Sequence, residues 1–397
     1  MTLKIMATAD NHLGRHYARM PVRVLDARRR RLRRALGQVF NHAKENRADL
    51  LLLAGDLFDT PNPRNSERLY LARQLRDLYR SGIHVAAIAG NHDAPRSSTE
   101  EGGYLALAIY QELEALHLYE QLSQDLIVKP IVYQLNGRRV ALGAFTPSTN
   151  LAPGQDPLEG VKYADVDADF HILMVHAGIE GKMYESTEGV IKLNTLQALN
   201  NVDLLIAGNV HCHEYFRVGQ MHIVIPGATE WMDFGDTKSQ KPGFAEIKVS
   251  ESRGVTVRHI TIEPQPRVEI KLKAQDIDPE DPTSTVIARI EQEADKDKIA
   301  RVCIEGTLIR AAYAKLNIGM IEDRSCELFF FSDLDLTNLR VQYDNGAVRG
   351  SSIRRSPKDE INHVVDSFLK LASDDIEREY LEETRRALQA ELQQLER

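Results

Sequence analysis

The sequence predicts an α/β fold: two sheets flanked by helices, followed by a smaller α+β domain and terminal helices. Three observations predict it. Short apolar runs of strand length alternate with helical periodicity as far as Ile262. Those runs stop, one after another, in Asp, Asn or His. The stretch Glu263-Pro264-Gln265-Pro266 then breaks the chain, and the remainder has helix and strand signals of its own.

The central run is Leu50 to Ala54, bounded by Asp49 and by Gly55-Asp56. Four consecutive leucines fit a strand buried on both faces that ends in a turn. In open α/β sheets ligands gather beyond the carboxyl ends of the strands, so Asp56 falls where chemistry would be done. A lone Gly-Asp after an apolar run is a common turn. Its weight comes from the other strand ends.

In chain order, Leu3 to Ala9 is the first strand and ends in Asp10-Asn11-His12-Leu13-Gly14. Arg23 to Asn46 is a helix with Val24, Leu25, Leu32, Leu36, Val39 and Phe40 on its apolar face. It carries Arg28 to Arg31, Arg33 and Arg34, which go all round the helix. A solvated or ion-paired surface and a phosphate-contacting one both fit them. Pro61-Asn62-Pro63 precedes a helix over Ser66 to Arg80. Ile83 to Ala89 is a strand ending in Gly90-Asn91-His92-Asp93.

Tyr104 to Leu116 reads as helical. Ile127 to Val132 and Val140 to Phe145 read as strands, with Asn136-Gly137 a hairpin turn between them. Phe170 to Val175 ends in His176-Ala177-Gly178, and Asp203 to Ala207 in Gly208-Asn209-Val210-His211-Cys212-His213. Strands around His222 to Ile225, Phe244 to Val249 and Val255 to Ile262 complete a second sheet.

Three segments are expected: 1-264, 265-350 and 351-397. The second holds a helix over Thr285 to Asp295, a strand over Arg301 to Glu305, a helix over Leu308 to Lys315 and a strand over Leu328 to Phe331. After Gly350-Ser351-Ser352, Ser356-Pro357 opens a helix with Ile361, Val364, Val365, Phe368 and Leu369 on one face. The last helix carries Leu381, Leu388 and Leu395 seven apart. The two can pack on their own domain or dock another helical protein.

At 397 residues the chain is too long for one compact core. A net charge of −8 excludes a nucleic-acid binder that works by bulk charge. A nucleic-acid site must then be a local patch or be charged by metal. Cys212, Cys303 and Cys326 are odd in number and scattered, which points to a reducing compartment. The N-terminal apolar run is too short for a signal peptide, and no stretch approaches the length of a membrane span. A cytoplasmic location is expected.

Collected, the strand-end residues are Asp10, His12, Asp56, Asn91, His176 and His211, with His92, Asn209 and His213 beside them. Carboxylate, amide and imidazole ligands together suit manganese, iron or zinc rather than calcium. They are too many for one ion. Two ions need a bridging carboxylate, and Asp56 is the candidate. Such a pair serves phosphate-ester hydrolysis, and it would leave the site net positive in an acidic protein. His92 can donate a proton to a leaving-group oxygen.

The ordered set Asp10-x-His12, Gly55-Asp56-x-x-Asp59, Gly90-Asn91-His92-Asp93, His176 and Gly208-x-x-His211 resembles the calcineurin-like metallophosphoesterases. Within them, Asp-Asn-His-Leu-Gly and Gly-Asp-Leu-Phe-Asp resemble the SbcD-type DNA repair nucleases. The resemblance implies a metallophosphoesterase sandwich holding two divalent ions, most simply manganese. It implies Asp10, His12, Asp56 and His211 on one ion, and Asp56, Asn91, His176 and the residue after Gly208 on the other, with His92 as the catalytic histidine. It further implies an exonuclease and endonuclease acting on DNA ends and single strands, and a homodimer. Residues 265-350 would cap the DNA, and the terminal helices would dock an SMC-like coiled-coil ATPase of the SbcC type.

The sequence departs from that pattern at Asn209, which stands where a metal-binding histidine is usual. Either Asn209 ligates through its amide oxygen beside His211, or the pair slips two residues to His211 and His213. An amide oxygen is the poorer ligand for these metals, so a weakened second site is expected. Two rival readings stay open: a catalytically weak DNA-binding scaffold, and a small-molecule phosphodiesterase.

Overall fold

The computed structural model describes residues 2–95, 97, 100–147, 151–152, 154–182, 189–235, 240–343, 348–350, 357–370, 372 and 375–395. Ser351, Ser352 and Ser356, the boundary signals of the sequence, lie outside the described residues. The chain divides into two compact units: Met1–His16 with Arg28–Pro264, and Tyr17–Ala27 with Gln265–Arg397.

The first unit contains two six-stranded sheets. One runs in the order Val255–Thr261, Gly243–Val249, Leu3–Thr8, Leu50–Ala54, His84–Ile88, His117–Leu118. Its last four strands are parallel; its first two, expected to complete the second sheet, instead add antiparallel here, because Gly243–Val249 pairs with Leu3–Thr8. The other runs Glu214–Val218, Met221–Ile225, Leu204–Gly208, Phe170–His176, Arg138–Ala144, Ile131–Leu135, with parallel strands at its centre.

The period of two along each strand sorts its side chains between layers. Leu50, Leu52 and Ala54 point into the core between the sheets, with Ile5, Ala7, Ile88, Leu142, Ile172, Met174 and Ile206. Leu51 and Leu53 point the other way, onto Leu32, Leu36, Val39 and Phe40 of the helix Val22–Glu45 and Leu71, Leu75 and Leu78 of the helix Asn65–Arg80. The outer face of the second sheet carries Leu173, Val175, Leu205 and Ile223 against Leu196 and Leu199. Two buried faces per central strand explain why the leucine run shows no alternation.

Several elements differ from expectation for visible reasons. The strand expected over Ile127 to Val132 is two pieces, Ile127–Val128 and Ile131–Leu135, because Pro130 between them has no N–H to pair. The helix expected over Tyr104 to Leu116 shrinks to Ala108–Glu112, preceded by a 3-10 turn over Glu100–Gly103. The helix expected over Thr285 to Asp295 is shifted to Pro282–Glu291. Pro282 stands at its first turn, and Asp281 caps it by accepting from the Ser284 amide at 3.2 Å.

The second unit is built on the long strand Asp295–Ile309, paired in parallel with Arg267–Lys273, Phe329–Asp335 and Leu339–Gln342. Val286 and Ile290, with Ile321 from the helix Ile318–Leu328, close its core against Ile270, Val302 and Ile304. The helices Pro357–Leu369 and Asp375–Leu395 pair with each other, Gln389 Nε2 donating to Asn362 Oδ1 at 2.7 Å and Arg385 meeting Asp366. Among the described residues no helix is long and apolar enough to cross a membrane.

Candidate metal centre

The site lies in the first unit, where strands of both sheets end. Leu3–Thr8 and Leu50–Ala54 run in register, and their pairing continues into the loops beyond. The Asp10 amide donates to the Gly55 carbonyl at 3.1 Å, His12 to Asp56 at 3.0 Å and Leu13 to Leu57 at 2.9 Å. Asp10, His12 and Asp56 are all left-handed, with φ of 52°, 44° and 51°. Such angles are uncommon outside glycine, and residues held in them cluster at functional sites. In the second sheet Gly208 pairs with His176. The next amide, that of Asn209 (φ 83°), donates to both oxygens of Asp10 at 3.1 and 3.2 Å.

Two glycines permit the close approach. A Cβ on Gly90 would meet Asp56 Oδ1 at 2.1 Å. One on Gly208 would meet the Ala54 carbonyl at 2.1 Å and His176 Nδ1 at 2.5 Å.

The acceptors converge. Asp56 Oδ2 lies 3.7 Å from His12 Nε2 and 3.4 Å from His176 Nε2, between the two imidazoles. His176 Nε2 is also 3.9 Å from Asp10 Oδ1 and 3.2 Å from Asn91 Oδ1. Ligand atoms of Asp10, His12 and His211 lie within 4.8 Å of one another, as do those of Asp10, Asp56 and His176, and those of His12, Asp56 and His92. Asp10, His12 and Asp56 are almost wholly buried.

Each central imidazole is oriented from behind. His176 Nδ1 bonds the Ala54 carbonyl at 2.8 Å, and His12 Nδ1 bonds Asp59 Oδ1 at 3.1 Å. A carbonyl and a carboxylate only accept, so in both rings Nδ1 carries a proton and Nε2 faces the pocket. His12 Nε2 is buried and makes no hydrogen bond. An orphaned imidazole lone pair facing two carboxylates is what a divalent cation satisfies, so these residues fit such an ion.

The electrostatics agree. Burial pushes the Asp10 carboxyl up, and the neighbouring Asp56 adds to this, against His176, His211 and His12. Burial also opposes ionisation of Asp56, but His176, with help from His12 and His92, holds it well below the usual carboxylate range. His176, disfavoured as a cation by burial, is nonetheless raised to about 10 by Asp56, Asp10 and the Ala54 carbonyl. A positive charge is thus demanded between the carboxylates.

Of the other candidates, His92 stands at the rim with its side chain 41 % exposed. Its ring centroid is 4.7 Å from that of His12, and its amide donates to Asp56 Oδ1 at 2.9 Å. His213 is not brought into the cluster. Its ring stacks on His259 at 4.3 Å between centroids.

Sequence reading gave no role to three residues that build the pocket. Asp93 accepts from the amides of Leu57, Phe58 and Gly90 at 2.9, 2.6 and 3.2 Å, joining two ligand loops. Burial, then the Asp56 charge, push its pKa up to about 7 against those three donors. Asn11 Nδ2 donates to Thr8 Oγ1 at 3.0 Å and Thr229 Oγ1 at 3.2 Å. Asp59 backs His12. Their only signal was membership of the same short motifs. The arginine run is partly resolved too. Arg28 is buried against Glu230 at 3.0 Å, Arg29 Nε donates to the carbonyls of Gly14 and Arg15 at 3.0 and 3.2 Å, and Arg33 pairs with Glu67. These three are structural. Arg30 and Arg34 are exposed.

Two packed mixed sheets whose strand tips converge on carboxylates, imidazoles and an amide define a metallophosphoesterase. Comparison with known proteins is consistent with this. Residues 3–213, more than half of the chain, match the calcineurin-like phosphoesterases, and the chain belongs to that family. It is 22% identical over 313 residues to the DNA double-strand break repair protein Mre11 of Sulfolobus acidocaldarius, covering 77% of this chain and 76% of that one. It is 23% identical over 288 residues to the SbcD-type subunit of the nuclease SbcCD of Staphylococcus saprophyticus, covering 68% and 71%. To the same subunit in Escherichia coli it is 28% identical over 104 residues, 26% and 24% of the two chains.

Proposed function

We propose that the protein is a two-metal DNA nuclease, hydrolysing phosphodiester bonds at DNA ends as exonuclease and endonuclease. The observation that carries this is Asp56 Oδ2 between His12 Nε2 and His176 Nε2, at 3.7 and 3.4 Å, which supports a bridging role for this carboxylate. The similarity to the Mre11 and SbcCD relatives supports DNA as the substrate class. Asp10, His12, Asp56 and His211 would hold one ion, and Asp56, Asn91, His176 and Asn209 the other. Manganese suits this mixture of carboxylate, amide and imidazole. The two ions would activate water and neutralise charge developing on the phosphate. His92, at the rim beside His12, donates the proton that the leaving oxygen needs.

The same reading makes the protein a cytoplasmic homodimer working with an SMC-like coiled-coil ATPase docked by the helices Pro357–Leu369 and Asp375–Leu395, with residues 265-350 capping the DNA. The helix pair leaves Val364, Tyr380 and Leu388 exposed, which supports a docking role.

Asn209 favours a second reading, in which the second ion binds weakly and the chain serves chiefly as a DNA-binding scaffold of such a complex. Nuclease assays with manganese separate them. The proposal expects the protein to degrade linear DNA, with Asn209→His increasing the rate. Activity confined to Asn209→His supports the scaffold, and activity on nucleotide diesters but not DNA contradicts both.

A further inference from the structure

Asp59 is not among the proposed ligands, yet it contacts several groups around the site. Its side chain is 15 % exposed. Oδ1 accepts from His12 Nδ1 at 3.1 Å and from Arg15 Nη1 at 3.4 Å, and Oδ2 accepts from the His16 amide at 3.3 Å. Its main-chain carbonyl faces His92 Nδ1 at 3.3 Å, while its own amide donates to the Leu13 carbonyl at 3.2 Å. The carboxylate thus bonds His12 directly and lies farther from His92, 3.8 Å from its Nδ1, which the backbone oxygen faces more closely.

We propose that Asp59 is the positioning residue for one of the two metal sites only, acting through His12. Its carboxylate fixes the His12 tautomer, aims Nε2 at the ion and raises the basicity of that nitrogen. It leaves the ion on the His176 side untouched, since His176 is oriented independently by the Ala54 carbonyl at 2.8 Å. The inference rests on the proposed metal ligation. It adds an asymmetry: two imidazoles in one pocket, one backed by a full negative charge and the other by a neutral carbonyl. A carboxylate behind a ligating imidazole characteristically contributes about 10- to 100-fold in metal affinity. Because Arg15 and the His16 amide share the carboxylate, the anchor is itself held against the loop that carries His12.

Manganese titration of the full chain tests this, with binding followed calorimetrically and by the spin-resonance spectrum that distinguishes a coupled pair of ions from a single one. In the wild type, two ions and a coupled spectrum are expected. In Asp59→Asn, which keeps an acceptor but loses the charge, one ion should weaken by about 10-fold. In Asp59→Ala the same ion should weaken by about 100-fold, leaving the spectrum of a single ion. In a His12→Ala background, Asp59→Asn should change nothing further, because its effect passes through the missing ring. If Asp59→Ala does not fold, the Asn variant and the His12→Ala cycle decide the matter. Unchanged binding in the folded variants, equal weakening of both ions, or full additivity with His12→Ala each overturn the inference while leaving the two-metal reading intact. A wild type that binds no manganese overturns both.

Discussion

At the residue scale the central object is Asp56. Its carboxylate is held by the His92 amide at 2.9 Å and flanked by two imidazoles whose other nitrogens are already engaged. Replacing Asp56 with Asn removes the charge proposed to bridge the ions, and both metal affinities should fall by more than about 100-fold, beyond what an outer-shell change costs; calorimetric titration with manganese measures this. The same carboxylates predict a pH dependence for the protein held in EDTA. His176 is raised from its ordinary 6.5 to about 10, so its ion pair stabilises the fold fully below pH 6.5 and that contribution is lost as pH rises toward 10. The melting temperature in EDTA should therefore fall between pH 6.5 and 10. With saturating manganese the trend should weaken or reverse, because a metal-ligating imidazole must be neutral and metal binding releases its proton. A melting temperature in EDTA that stays flat across that interval contradicts this account of His176.

At the element scale the strand ends matter more than the strands. Gly90→Ala places a methyl 2.1 Å from Asp56 Oδ1, and Gly208→Ala places one 2.1 Å from the Ala54 carbonyl. Each should cost about 1–3 kcal/mol and weaken metal binding; thermal melts and titrations of the two variants check it. Arg28 makes a separate prediction. Its ion pair with Glu230 is 2 % and 4 % exposed, so Arg28→Ala removes the buried counter-charge and should destabilise by about 3 kcal/mol in urea unfolding. The double variant Arg28→Met/Glu230→Leu should recover most of that loss.

These elements also show what sequence could and could not disclose. The strand ends were legible because a two-sided core demands uninterrupted apolar runs, and Asp10, Asp56, Asn91, His176 and Asn209 each follow or close such a run. Strand order was not legible, since Gly243–Val249 inserts beside Leu3–Thr8 from the far end of the unit. The arginines were ambiguous because a helix shows its periodicity but not what covers each side. Only the structure places Arg28 against Glu230, some two hundred residues away in sequence.

At the scale of the whole molecule, the fold places an anion-binding function inside a protein of net charge −8. Local charge must do what bulk charge does not. DNA binding should accordingly depend on metal: chelation should lower affinity for linear duplex DNA at fixed salt, and restoring manganese should recover it, as a filter-binding or anisotropy assay reads out. The C-terminal helices make an independent prediction. Tyr380→Ala and Leu388→Ala, both at exposed positions, should leave the melting temperature within a degree or two while weakening capture by the proposed ATPase partner.

The most direct measurement is anomalous diffraction from crystals soaked in manganese. The account predicts two peaks about 3.5–4 Å apart on either side of the Asp56 carboxylate, one beside His12 and His211 and one beside His176 and Asn91. The peak on the Asn209 side should be the weaker. A single peak, peaks remote from Asp56, or an ion ligated by His213 would contradict it.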